Sequence, residues 1–446
     1  MKKENWGSRL GFILSTAGFA IGLGNIWRFP YIVGEHGGGA FILLYLLLAV
    51  FVGIPLLTAE VSLGRSSGHT PILGIKKMNR GGRWWNLTGW LEVLAAVLTS
   101  GFYIMILSWI LMYLLTFPTG AYTGQSVEML RGRFDALSGD PFRVLGAAFV
   151  IGVLIFLVLF RGLKGGIELL SKIFMPVLFV IIIGLAVWAL TLPGAMEGLR
   201  WFLVPDFSKL SATSLLDAVG QLFFSIGVGL AAGFVYGSYL KPGESDVPGS
   251  IVMVVIMDTF IAILAGLIIF PALFSAGMSP DEGPSLVFIT MAHLFDTMPL
   301  GLVFGSIFFL SLFIAGFTSI IAVVEGIAAS LMDYFDWSRS KGVKIALGIT
   351  LLLAIPNTLA FSSWKEVIWL GKNFFEWMDF LSNTIFLPVG GLLICLFTAY
   401  VWTFDRFSEA TNAGAGRIRV SGAWKPFLQY VIPLVILFIL VRGLWG

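Results

Sequence analysis

Charged residues, cysteine and histidine are all scarce in this sequence. Only 12% of its 446 residues are charged, whereas soluble domains carry about 25%. The one cysteine, Cys395, excludes an internal disulfide bond. Three histidines without a Cys/His cluster argue against a structural zinc site. The sequence also lacks a phosphate-binding loop, a nucleophile elbow and a nucleic-acid motif, so an enzyme or a nucleic-acid binder is disfavoured.

Long apolar runs take the place of the missing charge, and 58% of the residues are hydrophobic. We predict eleven membrane-spanning helices, at about 10–35, 40–64, 88–117, 143–160, 167–191, 214–240, 249–274, 299–333, 343–361, 374–402 and 425–442. The N-terminal MKKENWGSR precedes a full-length span without a small-residue cleavage site, so we expect it to be retained. Most of the 28 lysines and arginines fall on the N-terminal side of the membrane. This bias predicts a cytoplasmic N-terminus and, with an odd number of spans, an extracellular C-terminus.

Two of the apolar runs, the first and the sixth, are interrupted at their centres. The interruptions are glycines and small polar residues: Gly22, Gly24 and Asn25 in the first run, and Ser225, Gly227 and Gly229 in the sixth. Unpaired backbone groups are tolerated at membrane depth only where they line a cavity or meet an ion. Two interrupted spans at corresponding positions of two halves therefore indicate the binding site of a transporter. For either run alone, a plain helix with packing glycines is the alternative.

Three segments resemble the neurotransmitter:sodium symporter family. AGFAIGLGNIWRFPY with the following GEHGGGAF is similar to that family's first broken helix, VGQLFFSIGVG to its second, and FIAGFTSIIAVVEG to its sodium-binding helix. The resemblance runs from Trp6 to Trp402 and is strongest to the bacterial hydrophobic amino-acid transporters. It implies an all-α integral membrane fold of eleven helices with two inverted five-helix repeats. A single transporter domain, 1–446, would comprise repeats at about 1–191 and 214–402 and an extra helix at about 425–442.

The resemblance also implies two sodium ions bound at the midplane. The first site would use Ala20, Asn25, Ser225 and Asp258, together with the carboxylate of the substrate. The second would use Gly18, Ile21, Ala315, Thr318 and Ser319. Carbonyl, hydroxyl and carboxylate oxygens suit a hard cation such as sodium. For the hydroxyls of Thr318 and Ser319, the alternative is a hydrogen bond back to their own helix.

Asp258 departs from the asparagine that is commonest at its position in the family. A charged side chain at mid-membrane is costly and usually functional. Chloride-dependent relatives bind the anion near the positions of Tyr45, Gln221 and Ser225, with a serine where this chain has Ala262. Because a fixed carboxylate can replace the charge of chloride, we predict chloride-independent transport. The alternative is an aspartate that only bonds within the helix bundle.

By the same resemblance, a substrate pocket surrounds the two breaks. Its expected lining residues are Leu23, Gly24, Thr99, Tyr103, Phe224, Gly227, Leu230, Ser319 and Val323. The peptide N–H of Gly24 and the hydroxyl of Tyr103 would hold the substrate carboxylate, although Tyr103 could equally serve packing. Gly227 is expected to leave room for a bulky side chain, and Phe19 to narrow the pocket near the amine.

Charge pairs are expected to close the pocket on both sides. Outside, Arg28 would pair with Asp379 beneath the ring of Phe224; a solitary arginine near a helix end can also simply reach the interface. Inside, Lys3 would pair with Asp333. Trp6, Tyr236 and Tyr239 are expected to pack around this inner pair.

Gly166 and Pro176 lie nine residues apart in the fifth span, and both weaken helical hydrogen bonding. The resemblance implies that the inner end of this span unwinds to let water reach the second sodium site. A simple proline kink is the alternative.

The sequence thus predicts a sodium-coupled symporter, not an enzyme, that imports hydrophobic L-amino acids such as Trp, Leu, Phe and Tyr across the cell membrane. No organic cofactor and no nucleic-acid partner are expected. Two alternatives stay open. One is a proton-coupled carrier in which Asp258 or Glu325 titrates; the other is an amino-acid sensor that binds without transport. Glu60 and Glu92, two further carboxyl groups inside spans, are assigned no transport step.

Overall fold

The computed structural model is helical over nearly all of the residues that it describes, which are 4–241, 243, 245–278, 288–414 and 416–445. In chain order the helices are α1 (Arg9–Ala20), α2 (Gly24–Glu35), α3 (Gly39–Ser67), α4 (Pro71–Met78), α5 (Arg83–Thr119), α6 (Val127–Ser138), α7 (Pro141–Phe160), α8 (Leu163–Leu190), α9 (Ala195–Leu203), α10 (Ala212–Ile226), α11 (Ala232–Ser238), α12 (Val247–Ser275), α13 (Thr290–Thr297), α14 (Gly301–Phe335), α15 (Arg339–Leu359), α16 (Phe374–Val401), α17 (Phe404–Asn412) and α18 (Gly422–Gly443).

Nine helices within the described residues are long and apolar enough to cross a membrane. The pair α1 and α2 forms a further span, bent by 51° at its break. The short apolar helix α10 continues into α11 and completes the sixth span in chain order. The predicted all-α membrane architecture, with its first and sixth spans broken, is confirmed.

The break in the first span comes where the sequence places its glycines and asparagine. Helix α1 ends at Ala20, and Ile21 takes an extended conformation with ψ 95°. The Asn25 side chain then accepts a hydrogen bond from the N–H of Gly22, 3.1 Å from Oδ1. Helix α2 therefore restarts the span at a new angle, and carbonyl groups at the end of α1 face the interior of the bundle.

The break in the sixth span uses left-handed backbone. Gly227, Gly229 and Ala231 have φ values of 64°, 85° and 61°, a region that glycine adopts at no steric cost. The carboxylate of Glu60 on α3 accepts hydrogen bonds from the N–H groups of Gly229 (3.2 Å) and Phe234 (3.1 Å). Glu60 thus supplies the acceptors that the interrupted helix lacks at this depth.

The backbones of α3 and α11 touch directly. A β-carbon on Gly64 would overlap the carbonyl oxygen of Phe234, and a β-carbon on Gly237 would overlap that of Val61. Small residues allow such close approach between membrane helices. The inner half of the sixth span is therefore packed tightly against α3.

Several short helices fall outside the predicted spans. Helices α6 and α9 occupy two of the long connections, and α4 and α17 occupy two more. Helix α13 lies in the connection around 275–298, of which 279–287 lie outside the described residues. Helices this short carry no span-length apolar run, so hydropathy does not predict them.

Candidate functional site

The two breaks face each other at the centre of the bundle and are joined by hydrogen bonds. The side-chain amide of Gln221 on α10 donates to the carbonyl of Gly24 at 2.8 Å. On the other side of the first break, the hydroxyl of Tyr103 on α5 accepts a hydrogen bond from the N–H of Leu23 at 3.3 Å. These bonds hold the peptide groups of 22–24 in a fixed orientation, which is the arrangement that a small polar ligand requires.

Asp258 on α12 accepts hydrogen bonds from side chains on three other helices. Its side chain is fully buried. The amide of Asn25 donates to Oδ1 at 2.7 Å, and the hydroxyl of Ser225 lies 2.9 and 3.0 Å from the two carboxylate oxygens. The hydroxyl of Tyr45 lies 3.3 Å from Oδ2. Three of the residues predicted for the first sodium site, Asn25, Ser225 and Asp258, are thereby brought together.

A second group of oxygens lies where α1 ends against α14. The hydroxyl of Ser319 is 3.2, 2.9 and 3.4 Å from the carbonyl oxygens of Gly18, Phe19 and Ile21. Carbonyls freed at the end of a broken helix and an adjacent hydroxyl are suitable ligands for a small hard cation. Gly18, Ile21 and Ser319 of the predicted second site therefore converge.

Thr318 takes the alternative that the sequence left open. Its hydroxyl bonds back to its own helix, at 3.1 Å from the carbonyl of Ile314 and 3.0 Å from that of Ala315. The side chain nevertheless borders α1, because a β-carbon on Gly18 would lie 3.3 Å from Cβ of Thr318. One rotation about its Cα–Cβ bond would exchange the intrahelical bond for another partner.

The expected pocket residues lie around the breaks. Those that are buried are Leu23, Gly24, Thr99, Tyr103, Gly227, Leu230, Ser319 and Val323, and Phe224 is partly exposed. The hydroxyls of Tyr103 and Ser319 converge on Gly22, whose β-carbon would lie 2.9 and 2.7 Å from them. Thr99 Oγ1 is buried without a partner among the described residues, so one hydroxyl at this pocket stays available.

The space expected beside Gly227 is not free. A β-carbon on Gly227 would overlap the tip of the Phe19 ring, which is itself buried and lies 6.5 Å from the ring of Tyr236. The prediction that the missing side chain leaves room for a large substrate group is therefore wrong in this conformation. Phe19 uses that volume, because a buried aromatic ring packs into whatever space its neighbours leave.

On the outer side, Arg28 and Asp379 make no direct ion pair; both are described residues. Arg28 donates to the carbonyl of Gly220 at 3.3 Å, and its guanidinium lies 5.3 Å from the centre of the Phe224 ring. Asp379 instead accepts from the amide of Asn383 at 2.6 Å. The two charges attract each other from a distance, so their direct pairing in a closed state stays a prediction.

On the inner side, Asp333 is bound to the connection between α3 and α4. It accepts from the N–H and the hydroxyl of Thr70, both at 2.9 Å, and lies 3.2 Å from Nδ1 of His69. Its predicted partner, Lys3, lies outside the described residues. The Lys3–Asp333 pair thus stays a prediction, whereas the contacts to Thr70 and His69 were not anticipated.

The inner closure contains an ion pair that the sequence did not reveal. Arg339 contacts Glu325 with both terminal nitrogens, at 3.1 and 2.9 Å, and the hydroxyl of Tyr239 donates to the same carboxylate at 2.6 Å. Glu325 is fully buried, and the Arg339 side chain is 16% exposed. An acid inside a span signals a missing partner. However, Arg339 lies beyond the end of α14, so only the fold identifies it.

Trp6 packs against Tyr239, the tyrosine that bonds to Glu325; its packing around a Lys3–Asp333 pair stays a prediction. Its indole N–H donates to the carbonyl of Tyr236 at 2.9 Å, and its ring packs edge-on against Tyr236 and Tyr239. Tyr239 and Arg339 also line a cavity of about 280 Å³, together with Asp333. The chain is thus closed between the central site and this inner cavity.

The fifth span begins with an irregular turn. Residues Leu163–Glu168 form a π-helical turn before the regular helix, which continues through Pro176. Gly166 packs directly on the carbonyl of Val158, so no larger residue would fit there. The carboxylate of Glu168 accepts from the N–H of Gly7 at 2.7 Å and so ties the N-terminal segment to this turn.

Comparison with known proteins places these observations in a family. The family model described as "Sodium:neurotransmitter symporter family" matches residues 3–125 and 122–445. An uncharacterised sodium-dependent transporter of Bacillus subtilis (strain 168) is 36% identical, over 99% of this chain and 98% of that protein. A second, from Haemophilus influenzae, is 32% identical over 100% of this chain and 99% of its own length.

Among solved structures, the crystal structure of MhsT in complex with L-phenylalanine is similar to this chain. The TM-score is 0.90 and the identity 37%, with 99% of this chain and 100% of that chain covered. The resemblance stated from the sequence motifs and the predicted fold class are both confirmed by these matches.

Proposed function

The chain belongs to the sodium:neurotransmitter symporter family, and on that basis we propose that it imports hydrophobic L-amino acids by sodium-coupled alternating access. It is a multi-pass membrane protein of a sodium-dependent transporter family, not an enzyme. The convergence of Asn25, Ser225 and Asp258 at the two breaks is the observation that carries the proposal. The phenylalanine bound to the similar MhsT supports the choice of substrate class.

Two sodium ions are assigned to the two groups of oxygens. The first would lie beside Asp258, with Asn25, Ser225 and the Ala20 carbonyl as further ligands. The second would lie between α1 and α14, where the Gly18, Ile21 and Ala315 carbonyls meet Ser319 and Thr318. The side chains of Asn25 and Ser225 now donate to Asp258, and that of Ser319 donates to carbonyls of the first span. Their oxygens would turn to the ions when sodium binds. The oxygen-rich, nitrogen-poor set fits a hard monovalent cation.

The amino acid would bind between the breaks. Its carboxylate would take the N–H groups of the first break and the hydroxyl of Tyr103, which already bonds to Leu23. The start of α2 adds the positive end of a helix dipole for the same negative group. Its side chain would lie among Phe19, Gly227 and Val323, which are apolar.

Transport would proceed by opening one side at a time. The outer barrier would consist of Arg28, Asp379 and Phe224, and the inner barrier of Trp6, Tyr239 and Asp333, with Lys3 as partner of Asp333. Gly166 and Pro176 would let the inner end of the fifth span unwind and admit water. We assign the two repeats to about 1–191 and 214–402, and the extra helix to about 425–442, in a cell-membrane protein with its N-terminus in the cytoplasm.

Uptake into proteoliposomes tests the proposal. Labelled tryptophan and leucine are offered with an inward sodium gradient, or with potassium in place of sodium. Sodium-dependent accumulation supports symport. Accumulation driven only by a pH gradient would replace it with a proton-coupled carrier, in which Asp258 or Glu325 titrates. Sodium-dependent binding without accumulation would indicate a sensor.

Chloride is expected to be dispensable. The carboxylate of Asp258 lies against Tyr45 and Ser225, so a fixed negative charge already occupies the region where chloride would bind. Replacing chloride with gluconate should change the initial rate of uptake by less than about twofold. The reason is that the Asp258 carboxylate supplies the negative charge near sodium that a bound chloride would otherwise supply. A loss of uptake in gluconate that chloride restores would contradict this assignment.

The Phe19→Ala variant is expected to enlarge the pocket beside Gly227. Removing the ring should favour large aromatic substrates over small ones by about tenfold to a hundredfold, the discrimination that a hydrophobic pocket gains from a few methylene groups. The measurement is the ratio of kcat/KM for tryptophan to that for alanine. Phe12→Ala, a buried aromatic residue of the same helix, is the control for general loosening. An unchanged ratio would remove Phe19 from the pocket.

A further inference from the structure

The outer end of the first span is joined to the sixth by a histidine bridge. His36 lies directly after α2, and its Nε2 is 2.7 Å from Oδ2 of Asp217 on α10. Its Nδ1 is 3.0 Å from the hydroxyl of Ser214, one turn earlier on the same helix. The ring also stacks on Phe41 at 5.4 Å. The His36 side chain is 11% exposed and that of Asp217 is 44% exposed, so external protons can reach the pair.

The hydrogen-bond network assigns a tautomer to the neutral ring. The ionised carboxylate of Asp217 can only accept, so Nε2 carries the hydrogen and donates it to Asp217. Nδ1 is then the acceptor, and the hydroxyl of Ser214 donates to it. In this state Asp217 retains its full negative charge with only a neutral donor beside it.

Asp217 also acts on the outer barrier. Its carboxylate attracts Arg28, although less strongly than the carboxylate of Asp379 across the opening does. Arg28 lies one turn from Asp217 along α10, because it bonds to the carbonyl of Gly220. The two acids therefore pull the guanidinium in different directions, one along its own side of the opening and one across it.

The other charged side chains near His36 and Arg28 each have an identified neighbour. Glu35 is bonded to the hydroxyl of Tyr31 at 2.6 Å, and Tyr31 lies in the field of Asp217 and Arg28. The side chain of Lys209 passes beside Gly37, next to the histidine. Lys372 acts on Asp379. Among the described residues, only His36 has a side chain in this group whose charge ordinarily changes between about pH 5 and 8.

We propose that His36 is a positioning residue of the outer barrier, which decides through Asp217 whether Arg28 is free to pair with Asp379. When His36 is neutral, the attraction of Asp217 adds to the bond with the Gly220 carbonyl, so Arg28 stays on the side of α10 and the barrier stays open. When His36 is protonated, the imidazolium neutralises Asp217. Arg28 then responds to Asp379 alone, and the barrier closes. The inference rests on the proposed role of Arg28 and Asp379, and it makes closure from outside dependent on external acidity.

The sign follows from linkage. In the open state Arg28 lies near Asp217 and offsets part of its charge, whereas in the closed state Arg28 has moved to Asp379. The closed state therefore binds the proton on His36 more tightly than the open state does. Lowering external pH through the imidazole range therefore shifts the population towards closure. A unit charge acting several ångströms away in a medium of intermediate dielectric changes the ratio of closed to open molecules by about threefold to tenfold.

Distances across the opening test this directly. Nitroxides are placed on Ala212 at the start of α10 and on Glu366 before α16, both exposed, while Cys395 is buried. Distance distributions are recorded in sodium without any amino acid, between about pH 8 and about pH 5.5. The wild-type protein should shift towards the shorter distance at low pH. No transport is needed, so a failed uptake assay and a failed pH response are separate results.

Two variants should lose the pH response, one by staying open and the other by staying closed. His36→Gln leaves Asp217 charged at every pH and should stay predominantly open. Asp217→Asn removes the competing acid and should stay predominantly closed. A merely structural bridge would loosen in the same direction in both variants. His293→Gln, a second histidine in the outer connections, should keep the wild-type response. A pH shift that persists in His36→Gln, or its absence in the wild type, overturns the inference.

Discussion

The Asp258→Ala variant is expected to lose sodium-dependent uptake almost completely. A carboxylate about 4 Å from a cation contributes several kcal/mol at intermediate dielectric, so sodium affinity should fall by about two to three orders of magnitude. The substitution also removes the shared acceptor of Asn25, Ser225 and Tyr45. Each buried donor left without a partner costs about 1–3 kcal/mol, so the melting temperature should fall as well.

Asp258→Asn separates these two effects. It keeps an acceptor oxygen and the shape of the side chain but removes the charge. The sodium concentration that gives half-maximal uptake, and the same quantity for amino-acid binding, should rise in both variants. The melting temperature should fall clearly only in Asp258→Ala. Sodium affinity within about threefold of the wild type in both variants, a difference of less than about 1 kcal/mol, would show that Asp258 bonds only within the bundle.

The Glu325→Ala variant is expected to destabilise the protein and open its inner side. It leaves the largely buried guanidinium of Arg339 with only Glu4, which is partly exposed and 3.7 Å away, as a counter-ion. Breaking a buried ion pair in this way costs up to about 3–5 kcal/mol. Tyr239 loses its acceptor at the same time, and Trp6 packs on Tyr239. The cover of the inner cavity should therefore loosen as one unit. Thermal unfolding in detergent measures the first effect.

Labelling from the cytoplasmic side measures the second. A cysteine replacing Ser238, which is buried at the edge of the inner cavity, should react several times faster with a polar maleimide in Glu325→Ala than in the wild-type background. The double variant Glu325→Gln with Arg339→Gln should recover part of the lost stability, since no buried charge is then left unpaired and Glu4 is partly exposed. If the free energy of unfolding of Glu325→Ala lies within about 0.5 kcal/mol of that of the wild type, the pair has no structural role.

The sequence was most informative where chemistry and hydropathy disagree. Glycines and an asparagine at the centre of an apolar run located both breaks, and an aspartate inside a span pointed to the first group of oxygens. These signals are local, because each rests on what one segment of helix can tolerate in lipid. Glu60 carried the same signal, but its two partners lie in the sixth span and needed the fold to be recognised.

Three features could not be derived from the sequence because they depend on how helices pack. Phe19 fills the space beside Gly227 only because α1 and the sixth span approach so closely. Arg339 reaches Glu325 from beyond the end of a helix. His36 meets Asp217 across 181 positions of the chain. Pairing over such separations is set by tertiary geometry, on which hydropathy and motif spacing carry no information.

The glycine contact between α3 and α11 limits how the transporter can move. Where backbones touch at Gly64 and Gly237, neither helix can slide past the other without overlap of main-chain atoms. Glu60 adds two hydrogen bonds from α3 to the backbone at and just after the break. The inner half of the sixth span and α3 thus move as one rigid body, and any hinge must lie outside their contact. Because Glu60 already fixes Gly229, any tilt of the outer half, α10, relative to this unit must be taken up before Gly229, at the left-handed Gly227.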